Sequence, residues 1–410
     1  MTDQIDVAII GSGPSSLSAA IELKALGIAR VVVLERDPEA GGIPRHCGHP
    51  PFGIREFKRV LTGPQYARKL VATARLVGVE IRTSTTVVEA RPDGKLLLAT
   101  KDGVAEIAPR RVIYATGVRE TPRSCRFITG PRPLGVVNTG ALQSTVYLQD
   151  RTPFERPVII GTELVSFSAI MTCRHAGIKP VAMIEANEGV TARWPTGLFP
   201  RIVGVPLHLG TRLSAILGNR SVTGVEVVDR AGNHRVINCD GVILSGQFTP
   251  EVALARCGHL AVDAATKGPV VDQYGRCSDP CYFATGNVLR PVETAGWSWN
   301  EGRQTARWVA ADLAGDLAPV GAEIEVVAAD PVIRYVVPQR LSLAAGSAGM
   351  KHLQLRVTRR AKGTLVAMCG DQTLWKMPLN ARPERRILVP VGKFTAAGKP
   401  VKIELKFIAE

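Results

Sequence analysis

The chain has 410 residues, of which 45% are hydrophobic and 21% charged, with a formal net charge of +15. At roughly 100 to 200 residues per domain, two or three domains with sizeable cores are expected, and this ordinary composition argues against a disordered chain. No apolar run approaches the ~18 residues that a membrane span needs, and eight cysteines without framework spacing or a CxxC pair argue against a disulphide scaffold.

The opening MTDQIDVAII enters an apolar strand with no basic leader segment, which predicts a cytoplasmic protein, free or peripheral at the inner face of the membrane. Residues 5–36 read as strand, glycine turn, helix and second strand. Gly11 allows a tight turn, Gly13 lets backbone amides approach a pyrophosphate, and Pro14, Ser15 and Ser16 open a helix whose N-terminus favours an anion. Ser16 stands where a third glycine is usual, and a small residue serves there. Glu35, about 20 residues on, is placed for a ribose hydroxyl pair, with Arg36 beside it. The plainer alternative is an α/β turn that binds nothing.

Next comes GGIPRHCGHPPFG, residues 41–53, a segment shaped by Gly41, Gly42, Pro44, Pro50 and Pro51. The stretch after it reads as helix then strand, and two hairpins are marked by Pro92-Asp93-Gly94 and Lys101-Asp102-Gly103. VIYATG, residues 112–117, is another strand running into a glycine turn at Ala115, Thr116 and Gly117.

A second βαβ unit, residues 156–186, repeats the first and reads as an internal duplication. Its turn differs: Gly161-Thr162-Glu163 replaces Gly11-Ser12-Gly13. A carboxylate beside two phosphates makes NAD(P) binding here doubtful. CYFATG then leads through a loop into a long helix ending at Gly315. Beyond Pro319, alternating apolar and polar residues predict a small antiparallel β domain. Residues 331–410 hold fifteen Lys and Arg against four Asp and Glu. That is either a solvated basic surface or a docking face for an acidic protein, nucleic acid or an anionic membrane. Without a stacking pattern or motif, nucleic acid is not expected.

The order of these pieces, from residue 5 to about 315, resembles the pyridine nucleotide-disulphide oxidoreductases. The resemblance implies an α/β fold of two Rossmann-like three-layer ββα dinucleotide-binding domains, thioredoxin reductase-like, plus the small C-terminal β domain. Residues 1–120 and 245–318 would form a discontinuous FAD-binding domain, 121–244 a degenerate NAD(P)-binding-like domain and 325–410 the basic β domain. FAD would touch Gly11, Gly13, Pro14, Ser15, Ser16, Glu35, Arg36, Gly42, Ile43, Ala115, Thr116, Gly117, Gly286, Asn287, Thr294 and Ala295. Asn287 replaces the family's usual aspartate at the ribityl chain. The helix near Thr294 would point its positive end at the flavin.

Within that group the loop at 41–53 and NVLRPVETAGW resemble the FAD-carrying α subunit of heteromeric opine, proline and hydroxyproline dehydrogenases and of hydrogen cyanide synthase. The resemblance implies a small substrate oxidised at a carbon bearing nitrogen, and a second flavoprotein subunit. The tail holds one cysteine, Cys369, so no iron-sulphur cluster is expected in this chain, and no metal site is predicted.

Cys47 alone follows the acidic strand, which excludes dithiol chemistry unless a distant cysteine joins it. Three roles stay open for the loop. Cys47 is a peroxidase-type thiolate supported by Arg45, His46 and His49, in an NAD(P)H-dependent reductase. Or His46 and His49 handle protons or anchor substrate, with Arg45 holding an anion. Or the loop only covers the cofactor. The function expected is an FAD-dependent oxidoreductase subunit passing electrons to a partner or acceptor; a non-catalytic scaffold subunit is the further alternative.

Overall fold

The structure is a computed structural model describing residues 4–342, 349–395 and 402–409. Residues 1–3, 343–348, 396–401 and 410, which fall in the predicted domain spans, lie outside them.

The apolar runs VAII and VVVL are buried on both faces, as a central parallel sheet requires. Five parallel strands stand in the order Tyr282–Ala284, Arg111–Tyr114, Val7–Ile10, Val31–Leu34, Glu80–Arg82. Helices Pro14–Ala25, Gly63–Leu76 and Ala295–Ala314 cover one face. A meander of Thr85–Ala90, Leu96–Thr100 and Gly103–Ile107 covers the other, turning at both predicted hairpins. This is the three-layer ββα arrangement. Helix Ala295–Ala314 lies so close to Pro14–Ala25 that a Cβ on Gly302 would stand 2.0 Å from the Ser15 carbonyl oxygen.

The second domain repeats the plan. Its parallel sheet runs Leu207–His208, Ala182–Ile184, Pro157–Ile160, Gly241–Leu244, Val136–Asn138, with a meander of Arg212–Leu217, Gly224–Val228 and His234–Asn238. The chain crosses between the domains twice, and the crossing strands Val118–Glu120 and Phe248–Pro250 pair antiparallel.

Two packed sheets enclose a separate apolar core in the C-terminal domain. One has five strands, Arg340–Ser342, Glu323–Ala328, Lys402–Ala409, Ala361–Cys369 and Gln372–Ala381; the other has three, Ile333–Val337, His352–Val357 and Ile387–Pro390. The pairing is antiparallel except between Glu325–Ala328 and Lys402–Leu405, which run parallel. Alternation in sequence marks strands but not their direction.

Two local expectations need refinement. The segment 41–53 carries one 3-10 turn, Ile43–His46. After it the helical pattern is broken: Ile54–Phe57 makes a single turn that Lys58 ends at φ 55°, and the long helix starts at Gly63. Thr62 and Gln65 form a reciprocal capping box there, with Pro64 in the first turn.

Candidate functional site

The predicted cofactor residues of the first domain converge on one cradle. Gly11, at φ 97°, passes so near the ATG turn that a Cβ would stand 2.8 Å from the Ala115 carbonyl oxygen. Ser16 Oγ donates to the Gly11 carbonyl, and Gly42 crosses Gly13, where a Cβ would lie 2.7 Å from the Gly13 Cα. Buried Glu35 accepts from Ser12 N at 3.0 Å and from Ser12 Oγ through Oε2, and from Asp37 N at 2.9 Å through Oε1. Ser12 Oγ in turn accepts from Gly41 N at 2.9 Å. One serine therefore locks turn, acid and loop together.

The far wall is the 286–298 segment. Gly286 abuts Ser15, whose Oγ a Cβ would approach to 2.5 Å. Asn287 closes its own loop: Oδ1 accepts from Glu293 N at 2.7 Å and Nδ2 donates to Glu293 O at 3.0 Å. Thr294 caps the helix that Ala295 begins, and its carbonyl accepts from Trp297 N and Ser298 N at 3.0 Å. Thr116 Oγ1 donates to Glu251 O at 2.7 Å, while Arg36 and Ile43 are exposed.

The cradle fits FAD. A Cβ on Gly13 would meet nothing within 4 Å, leaving the helix N-terminus open to a diphosphate. Glu35 Oε1 accepts a single bond, so a lone pair remains for a ribose hydroxyl. Thr285 Oγ1 and Ser298 Oγ are buried with no hydrogen-bond partner among the described residues. Buried polar atoms without partners are uncommon, and a polar ligand supplies what these lack.

The loop cluster stands differently. Arg45 Nη2 donates to Asp37 Oδ2 at 2.6 Å, so its charge is already paired. Burial, aided by the Arg45 charge and opposed by Asp37, pushes His46 down to about 4. His49 places Nδ1 2.9 Å from Pro50 O, and since a carbonyl only accepts, Nδ1 carries the proton and Nε2 is the basic nitrogen. Its ring lies 5.5 Å from Phe52.

Cys47 is buried at the junction between domains. Its Sγ donates towards Ile43 O and Gln143 Oε1, both at 3.5 Å, and Gln143 belongs to helix Thr139–Gln149 of the second domain. Burial, with Glu120 adding to it, pushes the thiol up to about 12. Cys47 is therefore a neutral thiol at physiological pH. Glu120 itself accepts from Gly140 N at 2.8 Å and Gly246 N at 2.9 Å, tying the crossing strand to the second domain. Burial raises its carboxyl above the usual range.

In the second domain Glu163 is the N-cap of helix Leu164–His175, the position Gly13 holds in the first, its Oε1 accepting from Gln247 N at 2.8 Å. Sequence reasoning missed Ser12, Gly41, Thr285 and Ser298 in the first cradle, and Gln143 and Glu120 at the junction. Ser12 was legible from its place between the two turn glycines; the others depend on contacts between distant segments.

The pattern of one family, pyridine nucleotide-disulphide oxidoreductase, matches residues 5–315, covering both dinucleotide units and the closing helix. The chain belongs to that family. It is a flavin oxidoreductase of Rossmann-type build, and the family is FAD-dependent. One subunit of opine oxidase from Rhizobium meliloti (strain 1021) is 27% identical over 182 residues, which are 44% of this chain and 38% of that one. The chain thus spans well under half of that relative's length. Ferredoxin–NADP reductase from Ignicoccus hospitalis is 25% identical over 291 residues, 69% of this chain and 90% of the relative. Thioredoxin reductase from T. acidophilum superposes with a TM-score of 0.63 at 22% identity over 75% of this chain and 98% of that one, a likeness of fold. Among the described residues, no helix is long and apolar enough to cross a membrane.

Proposed function

We propose that this chain is the FAD-carrying subunit of a heteromeric dehydrogenase or oxidase acting on an amino acid, opine or similar small substrate, with electrons leaving to a partner subunit or other acceptor. The observation that carries this reading is the state of Cys47. A disulphide reductase of this fold needs a redox thiol pair, and a peroxidase needs a thiolate; one buried thiol at about 12 is neither. The opine oxidase relatives, named as subunits, support a multi-subunit enzyme.

Bound FAD would supply the hydride-accepting centre of the reaction. Ser12 and Glu35 would hold its adenosine ribose, and the Gly13 turn its diphosphate. Gly286 and the Thr294-capped helix would form the wall against the ring. The positive end of that helix stabilises negative charge placed before it. His49, with Nε2 free, is the loop's proton acceptor, while His46, neutral and partly buried, shapes the loop. Arg45 holds the loop to Asp37. The basic C-terminal domain offers a face to an acidic partner.

The test is an anaerobic titration of the FAD-loaded chain, alone and with its co-purifying partner, against amino acids, opines, NADH and NADPH. The expected result is a yellow protein whose flavin absorbance bleaches with an amino acid or opine and not with NAD(P)H. A colourless protein that takes up no FAD, or bleaching by NAD(P)H alone, overturns the proposal.

A further inference from the structure

The second unit repeats three hydrogen bonds of the first at the same sequence spacing. Ser12 donates to Glu35 across 23 residues, and Thr162 donates to Glu185 across the same 23. Gly41 N donates to Ser12 Oγ across 29 residues, and Thr191 N to Thr162 Oγ1 across 29, each at 2.9 Å. Asp37 N and Asn187 N both donate to Oε1 of the acid two residues before them, again at 2.9 Å. Even the cap conformation matches: Gly13 has φ −74° and ψ −177°, Glu163 φ −67° and ψ 165°.

Within this shared backbone, two side chains change what the site offers. The first is Glu163. Its carboxylate lies against Gly246, where an added Cβ would stand 2.5 Å from Oε1, and takes the Gln247 N–H. A carboxylate thus already occupies the turn beside the helix start, held by Gly246 and Gln247, where the family's dinucleotide would place a diphosphate. The second is Asn187. Its Nδ2 donates to Glu185 Oε1 at 2.7 Å, a bond that Asp37 has no hydrogen to make to Glu35. Glu185 then holds four donors, namely Asn187 N, Asn187 Nδ2, Thr162 Oγ1 and, at 3.3 Å, Thr191 Oγ1. A carboxylate offers about four lone-pair directions, so none is left for a ribose hydroxyl.

NAD(P), which the family implies for this domain, therefore does not fit the residues present. We infer that the second dinucleotide site is filled by the chain itself, the Glu163 carboxylate standing for the diphosphate and the Asn187 amide for a ribose hydroxyl. What remains between Glu163, Glu185, Asn187 and Arg212 is a cavity of about 180 Å3. The domain needs no nucleotide to satisfy its buried acid Glu185. It stands as a self-sufficient structural half, and the inference is independent of which substrate the flavin half oxidises.

The probe is ADP-ribose, which carries the diphosphate and both riboses but no redox group. Its binding is followed by calorimetry with FAD saturating, so that the first cradle is taken and the outcome does not depend on electron transfer. The wild-type chain should give no second-site binding. Removing both fillers, Glu163→Gly with Asn187→Ala, should tighten ADP-ribose by at least about tenfold, since each frees a polar group whose pairing is worth on the order of 1 kcal/mol or more. Adding Glu185→Ala should abolish the gain. ADP-ribose or NADH binding by the wild-type chain that Glu185→Ala removes overturns the inference, and so does a folded double variant with no gain. The wild-type measurement decides the matter even where the double variant does not fold.

Discussion

The Arg386 guanidinium lies over the Trp297 ring, 3.9 Å from its centroid, while Arg55 lies over the same ring at 4.3 Å. One indole thus joins the C-terminal β domain, the first turn of helix Ala295–Ala314 and the segment after the loop. Arg386 also stands 3.6 Å from Glu301, whose other partner is the fully buried Arg290. Arg356 adds a bond to Val292 O at 2.7 Å and one to Glu293 at 2.9 Å. Removing the guanidinium in Arg386→Ala should cost about 1–3 kcal/mol, combining a partly buried cation–π contact with a weakened charge network. It should also speed FAD loss, because that helix start forms the wall of the cradle. Urea unfolding and cofactor release report both, and unchanged values in the two assays would refute the coupling.

Gly13→Glu copies Glu163 into the first unit. The backbone there is already extended at φ −74°, and a Cβ meets nothing within 4 Å, so the fold should survive. A carboxylate about 4 Å from a phosphate costs about 4 kcal/mol at an effective dielectric near 20, so FAD should bind more than about a hundredfold more weakly. The expected product is folded and colourless. Retention of full flavin content by Gly13→Glu would mean that the diphosphate does not lie at this turn.

For Cys47 the expectation is kinetic. A thiol raised to about 12 and buried at the domain junction exposes almost no thiolate at pH 7.5. Alkylation followed by peptide mass mapping should mark the exposed Cys125 and Cys257 first and leave Cys47 orders of magnitude slower. Cys47→Ser should retain its activity. Fast labelling of Cys47 in the folded protein would restore the thiolate reading.

His46 should make stability fall with acidity. Its folded value near 4 lies below the ordinary 6.5, so between those limits the unfolded chain binds more protons and stability declines as pH drops. Above 6.5 both states are neutral and the residue contributes no pH dependence. From pH 7.5 to 5 the loss should be on the order of 1–2 kcal/mol, and His46→Asn should lack it. Parallel stability curves for wild type and variant would show that the imidazole is not buried as described.

How much of this was legible in the sequence follows residue by residue. The turn Gly11-Ser12-Gly13, the acid Glu35, the altered Glu163 and the long helix capped at Thr294 are local features, and spacing alone exposes them. One of the roles left open gives Arg45 a carboxylate or other anion to hold, and only the folded loop shows the Asp37 carboxylate beside it. A Cys47 thiolate is one of three roles left open for the loop, and nothing local reveals that Gln143, 96 residues away, closes over it. The Trp297 sandwich joins residues from three separate stretches, and no periodicity encodes such a meeting. Asn187 was invisible for a subtler reason: one amide hydrogen distinguishes it from Asp37, and its effect appears only when the bonds on Glu185 are counted.

The two units keep the same spacings while their side chains differ. Register can outlast chemistry, so a recognisable motif records likeness of fold and says little about present use. Vacancy on the acid is the better witness: an unspoken-for lone pair marks a copy still in service, and a saturated one marks a copy in retirement.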